Sequence, residues 1–295
     1  MIEGVLEQGF IFAIMALGVY ITYKVLNFPD MSVDGTFPLG ASVTAIMLVR
    51  GADPLFACVI SIVAGMAAGL ATGILHVKFR ITNLLSGILV MLGLYSINLR
   101  IMGKSNTPLF TEKTIFSANV PSIVIIIGLA LLVKVLLDIM FRTKFGFILK
   151  ATGDNPNMVT TLGVDIGIIK IIGIMIANGI VALSGSIMAQ YQRFSDVGMG
   201  TGVMVMGLAS IIMGESVLKA LPIRFGTSCA LLGSLFYKGS IAAALKAGLP
   251  ATDLRLVTSV IVITALVIYN GGLKMKFKWG FNLGGGKTVT HSKSA

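Results

Sequence analysis

Charge is scarce in this chain: only 12% of its 295 residues are Asp, Glu, Lys or Arg, against 56% hydrophobic residues and a mean hydropathy of +0.94. Soluble globular domains are about one quarter charged, so that class is excluded and lipid is the expected solvent. Histidine occurs only as His76 and His291, cysteine only as Cys58 and Cys229. With no H-E-x-x-H, no cysteine cluster and no paired acidic motif, no metal site and no catalytic residues are expected. Both cysteines lie within apolar runs and fit small buried hydrophobes. The tail string Gly284-Gly285-Gly286-Lys287-Thr288 ends like a phosphate-binding loop, but Phe281 stands where the opening glycine belongs. Nucleotide binding by this chain is therefore not expected.

What is present is a succession of apolar runs, at Val5 to Tyr23, Val33 to Val49, Leu55 to Leu75, Leu84 to Met102, Ile123 to Phe141, Ile166 to Met188, Gly202 to Leu218, Phe225 to Leu245 and Leu254 to Tyr269. Each approaches the roughly 20 residues needed to cross a 30 Å hydrocarbon core. The runs are too long for barrel strands, so the expected fold is all-α: a polytopic transmembrane helical bundle of about nine spans, in one membrane domain covering residues 1–295.

The first run has Glu3 and Glu7 on its flank and no Lys or Arg, unlike a signal peptide, and is expected to remain as a span. The positive-inside rule places Lys274, Lys276, Lys278, Lys287 and Lys293 in the cytoplasm and the acidic amino terminus on the outer side of the membrane. The net charge of +11 then reflects topology and attraction to anionic lipid, since no motif supports nucleic-acid binding. Trp279 suits an interfacial anchor.

Residues 142–164, RTKFGFILKATGDNPNMVTTLGV, separate two long spans with a basic, turn-rich segment. Asn155 is suited to cap a helix, Pro156 to open it and Gly163 to end it, giving about two turns. Met158, Val159 and Leu162 would share one apolar stripe, flanked by the cytoplasmic Arg142, Lys144 and Lys150. Such a helix is a docking element for a protein partner, or else a loop folded back on the bundle.

The strings Phe28-Pro29-Asp30-Met31-Ser32-Val33-Asp34-Gly35 and Phe194-Ser195-Asp196-Val197-Gly198-Met199-Gly200 each follow a span, 28 and 194 being offset by 166 residues. They suggest an inverted repeat, 5–110 and 165–270, joined by the span at 121–141, the 142–164 segment and ending in a basic tail, 271–295. Within residues 27–40, Pro29, Gly35, Pro38 and Gly40 break any helix near Asp30 and Asp34. Either this stretch lines a pathway, with Ser32, Asp34, Gly35 and Thr36 exposed to solute, or the span starts near Phe37 and both acids lie in a cytoplasmic turn. Tyr95, Asn98, Asn178 and Ser184 are further polar groups at plausible depth, serving as solute contacts or as bonds between helices. Lys238 fits a snorkelling lysine, and Lys134 and Asp138 fit an i, i+4 pair. The stretch from Gly103 to Pro121 is the longest outer loop and suits an external partner.

The strings A-T-G-D-N-P-N-M-V-T-T-L-G-V at 151–164, A-N-G-I-V-A-L-S-G-S at 177–186 and N-F-P-D-M-S-V-D-G at 27–35 resemble bacterial ABC importer permeases of the branched-chain amino acid and ribose group, nearest the subgroup linked to aromatic amino acids. The resemblance implies a type II-like permease whose 151–164 loop is a coupling helix, shaped by Ala151, Gly153, Asp154, Asn155, Pro156 and Gly163, that seats in a cytoplasmic ATPase. It also implies ATP and Mg bound by that partner, a second permease copy and an extracellular solute-binding protein. Where branched-chain permeases show N-F-A-H-G-E, this chain has Asn27-Phe28-Pro29-Asp30-Met31-Ser32. The expected function is the permease subunit of an ATP-driven amino acid importer; the competing expectation is an ion-coupled secondary transporter using Asp34.

Overall fold

Helix α1 (Ile2–Tyr20) is apolar on every side, which suits a helix enclosed by others. Ile11, Ala13, Ile14, Met15, Ala16 and Leu17 have no solvent exposure, and α1 is the post around which the bundle is built. It runs on into one wider turn, a π-helical segment Ile21–Val25. The computed structural model of the chain describes residues 2–117, 120–218, 226–246 and 248, with isolated positions between 256 and 267.

The described runs are all helical: α2 (Val33–Val49), α3 (Pro54–Val77), α4 (Asn83–Met102), α5 (Ser122–Arg142), then the short α6 (Lys144–Asp154) and α7 (Pro156–Thr161), then α8 (Ile166–Gln192), α9 (Val203–Leu218) and α10 (Gly226–Lys246). Among the described residues seven helical spans are long and apolar enough to cross a membrane, and α2 with 17 residues is shorter. Most of the ninth run, Leu254 to Tyr269, lies outside the described residues, as do Lys219, Arg224, Trp279, His291 and the 284–288 string.

Helix boundaries follow local chemistry. Asp53 accepts the N–H groups of Leu55 (2.9 Å) and Phe56 (3.2 Å) ahead of Pro54, so α3 starts there. Asp165 does the same for α8 through the Gly167 N–H at 2.7 Å. The left-handed Gly103, φ +68°, ends α4.

Helices α2, α3 and α8 form one tightly crossed group, with α1, α9 and α10 forming another. Lipid gives helices little hydrophobic reason to associate, so close backbone approach through small residues must supply packing. Gly40 lies against the Ala182 backbone and Gly185 against the Phe37 backbone; a Cβ on either would overlap the facing helix. Helices α3, α4 and α5 turn apolar faces outward, with Val63, Leu89 and Leu132 exposed.

At the end of the bundle away from α6 and α7, β1 (Asn106–Pro108) pairs antiparallel with β2 (Phe194–Asp196), Asn106 opposite Asp196. This ribbon fastens the long loop after α4 to the end of α8. Leu109 N–H donates to the Arg193 carbonyl at 2.8 Å and Ile115 N–H to Gln190 Oε1 at 3.0 Å. The long loop, expected to suit an external partner, is thus partly folded onto the bundle, while Phe110 stays 75% exposed.

Candidate functional site

The entry to α2 is built around a buried carboxylate. Asp30 Oδ1 accepts the Ser32 N–H at 2.9 Å, closing a tight turn, and Asp30 Oδ2 accepts from Asn178 Nδ2 at 2.8 Å. Asn178 Oδ1 in turn accepts the Thr36 hydroxyl at 2.7 Å and the Ser32 hydroxyl at 3.2 Å. Asp30, Ser32, Thr36 and Asn178 have no solvent exposure, and α2 begins at Val33. The alternative in which the span starts near Phe37 and leaves both acids in a cytoplasmic turn is therefore corrected: Asp30 is held by the middle of α8. Ser184 is likewise enclosed, its hydroxyl donating to the Ile11 carbonyl at 2.7 Å. Ser32, Thr36, Asn178 and Ser184 thus sit between helices with their hydrogen-bonding groups engaged.

Four other residues picked out by sequence come together around a cavity of about 260 Å³. Asp34, Gly35 and Pro38 of α2 face Tyr95 and Asn98 of α4 across it, and Val197, Gly198 and Thr201 close a third side. Asn98 Nδ2 donates to the Gly35 carbonyl at 3.2 Å, whereas its buried Oδ1 accepts no hydrogen bond among the described residues. Asp34 accepts the N–H groups of Gly202 (3.0 Å) and Met204 (2.7 Å) and so caps α9. Pro38 lacks an N–H, which frees the Asp34 carbonyl within α2, and Gly200 lies against that carbonyl where a side chain would not fit. Gly200, Gly202 and Met204 were not picked out from sequence as partners of Asp34; the FSDVGMG string was the available signal.

The second candidate region is the segment between α5 and α8. Asn155 Oδ1 accepts the Met158 N–H at 3.3 Å, Pro156 opens α7, and Gly163 ends the segment at φ +74°. Met158 and Leu162 are 51% and 63% exposed. Val159, expected beside them on the apolar stripe, is instead buried, only 1% exposed, on a helix that approaches α8. Ahead of α7 stands α6, not anticipated as a separate helix. Thr143 caps it by accepting the Gly146 N–H at 3.3 Å, and Leu149 and Thr152 bury its inner face. Gly153 is packed against the Val25 carbonyl, so it joins α6 to the end of α1, while Ala151 is half-buried and Asp154 exposed.

Elsewhere Lys134 and Asp138 pair at 2.6 Å, as their spacing suggests. Cys58 is buried and accepts from Gln190 Nε2 at 3.2 Å, a packing role. Among the described residues no group of three or more His, Cys, Asp or Glu is placed to hold a metal ion.

Residues 1–269 match the family described as branched-chain amino acid transport system / permease component. The chain is 50% identical to the tyrosine transport system permease protein of Clostridioides difficile (strain R20291), covering 93% of each chain. It is 33% identical to an uncharacterized protein of Rickettsia prowazekii (strain Madrid E), over 88% of this chain and 95% of that one. At 24% identity it is similar to a probable branched-chain amino acid transport permease protein of Methanocaldococcus jannaschii, over 65% of this chain and 66% of that one. No solved structure matches.

Proposed function

The chain belongs to the branched-chain amino acid transport permease family, a family of transport components and not of enzymes, and from that premise we propose that it is the membrane-spanning subunit of an ATP-driven importer of an aromatic amino acid such as tyrosine. The observation that carries this reading is the form of α7. Its Met158 and Leu162 are offered outward, while Val159 is buried and Gly153 ties the segment to the end of α1. A partner that grips the outer face therefore moves the helices of the bundle, which is what coupling to an ATPase requires. A small differential affinity suffices, since a few kcal/mol reverses a two-state population.

In this reading the α6–α7 end is cytoplasmic, marked by Arg142, Lys144 and Lys150, and the β1–β2 end is outside. A cytoplasmic ABC ATPase binds Mg and ATP and docks on α7; a second permease copy completes the pathway. A binding protein delivers solute at the ribbon end, where Phe110 is exposed. The parts of the chain before and after α5 are related as an inverted repeat. Three relationships support the repeat. Asp30 and Asp196, offset by 166 residues, each accept the N–H two residues on, at 2.9 and 2.7 Å. Asp34 and Gly200, at the same offset, touch. Gly18 lies against Ala177 as Ser184 does against Ile11, again at that offset.

The solute path passes the cavity between α2 and α4. Asn98 Oδ1, a buried acceptor left unsatisfied among the described residues, suits a donor group such as an ammonium. The ion-coupled alternative weakens, because both Asp34 oxygens already hold the start of α9.

The test is uptake of labelled tyrosine by host cells with and without the gene, under ATP depletion or a protonophore. Loss of gene-dependent uptake on ATP depletion alone supports the importer. Loss under the protonophore with ATP preserved contradicts it.

A further inference from the structure

A second cavity, of about 440 Å³, lies on the opposite side of the Val197–Gly200 turn from the first, and Gly198 borders both. Its volume falls within the range of small-molecule sites. Its walls combine a lysine, an aspartate and aromatic rings. Lys238 of α10 enters it as a cation that pairs with no carboxylate among the described residues and rests on the Phe12 ring, Nζ 3.8 Å from the centroid. Phe12 stacks on Phe37 at 6.0 Å, and Phe194 adds a further ring. Asp196 stands on the ribbon wall, with Oδ1 accepting the Gly198 N–H and its other oxygen free of hydrogen bonds among the described residues.

A cation without a counter-charge in a half-buried cavity is costly unless an anion visits it. Lys238 answers a carboxylate, Asp196 answers an ammonium, and the rings answer a flat apolar group. We propose that this cavity is a binding site for a zwitterionic α-amino acid with an aromatic side chain, in which Lys238 takes the carboxylate, Asp196 the ammonium, and Phe12, Phe37 and Phe194 the ring. The site's place in transport rests on the permease reading above: it is where solute waits before passing the Val197–Gly200 turn to the cavity of Asp34 and Asn98. Lys238, which the sequence offered as a snorkelling lysine, becomes a specificity residue.

Saturation-transfer NMR on the full chain in nanodiscs tests this, with L-phenylalanine, phenethylamine (no carboxylate) and 3-phenylpropionate (no ammonium) as probes. L-Phenylalanine gives ring-proton transfer; either analogue is weaker by about tenfold or more, the scale of one lost charged hydrogen bond. Lys238→Met weakens L-phenylalanine to the level of phenethylamine, and Lys238→Arg restores it; Asp196→Asn penalises the amino acid but not 3-phenylpropionate. Equal binding by wild type and a well-folded Lys238→Met, or no transfer from L-phenylalanine at all, overturns the proposal. Retention of an ATPase by the same preparation is scored separately, so failure of this site and failure of the importer reading are distinguishable.

Discussion

Asp34, inside the first turn of α2, accepts the backbone N–H of Met204 at 2.7 Å, and so caps a helix 170 residues further along the chain. Its other oxygen holds the Gly202 N–H at 3.0 Å. Any tilt of α9 relative to α2 must stretch these bonds or carry both helices together. The carboxylate also borders the cavity with Tyr95 and Asn98, so the cap of α9 and the proposed solute path share one side chain.

Asp34→Asn keeps only one of the two capping oxygens and turns its NH2 toward the other N–H, so it is expected to retain uptake at a cost of about 1 kcal/mol, whereas Asp34→Ala loses both bonds and about 2–3 kcal/mol. Thermal unfolding in detergent and uptake by cells expressing each variant check this. Abolished uptake in a stable Asp34→Asn protein would favour ion coupling instead.

On α7 the two faces are expected to behave differently. Met158→Glu and Leu162→Glu place charge on exposed positions and should weaken ATPase retention about tenfold or more while leaving the permease folded. Val159→Glu buries an unpaired charge and should cost several kcal/mol of stability. Size-exclusion profiles and retained ATPase separate these outcomes.

Gly40→Val forces α2 away from Ala182 and is expected to abolish folded protein, while Gly128→Val, with open space around its α-carbon, should be tolerated. Membrane expression levels of the two variants give the comparison.

Asn98→Leu removes the unsatisfied acceptor together with the bond to Gly35, and uptake is expected to fall several-fold at unchanged membrane abundance. Asn98→Asp keeps an acceptor oxygen and should retain more uptake than Asn98→Leu.

Much of this was legible in the residues, and the failures have physical causes. Asn155, Pro156 and Gly163 marked α7 because capping chemistry is local. The preceding α6 escaped notice since its two glycines and two lysines look like loop; only Thr143, bonding Gly146, announces its start. Burial of Val159 depends on how α7 packs in the bundle, which no local pattern encodes. The depth of Asp30 was ambiguous for a similar reason: its partner Asn178 lies 148 residues away. Ribbon strands of three residues are too short to show alternation, so the link from Asn106 to Asp196 had no periodic signal.

The most direct measurement of the central claim is affinity purification of the tagged chain from its host in mild detergent, with mass spectrometry of the retained proteins, for wild type and Leu162→Glu. A stoichiometric ABC ATPase with the wild type, lost with the variant, is the predicted result. A pure, folded, transport-active chain that retains no ATPase would contradict the account.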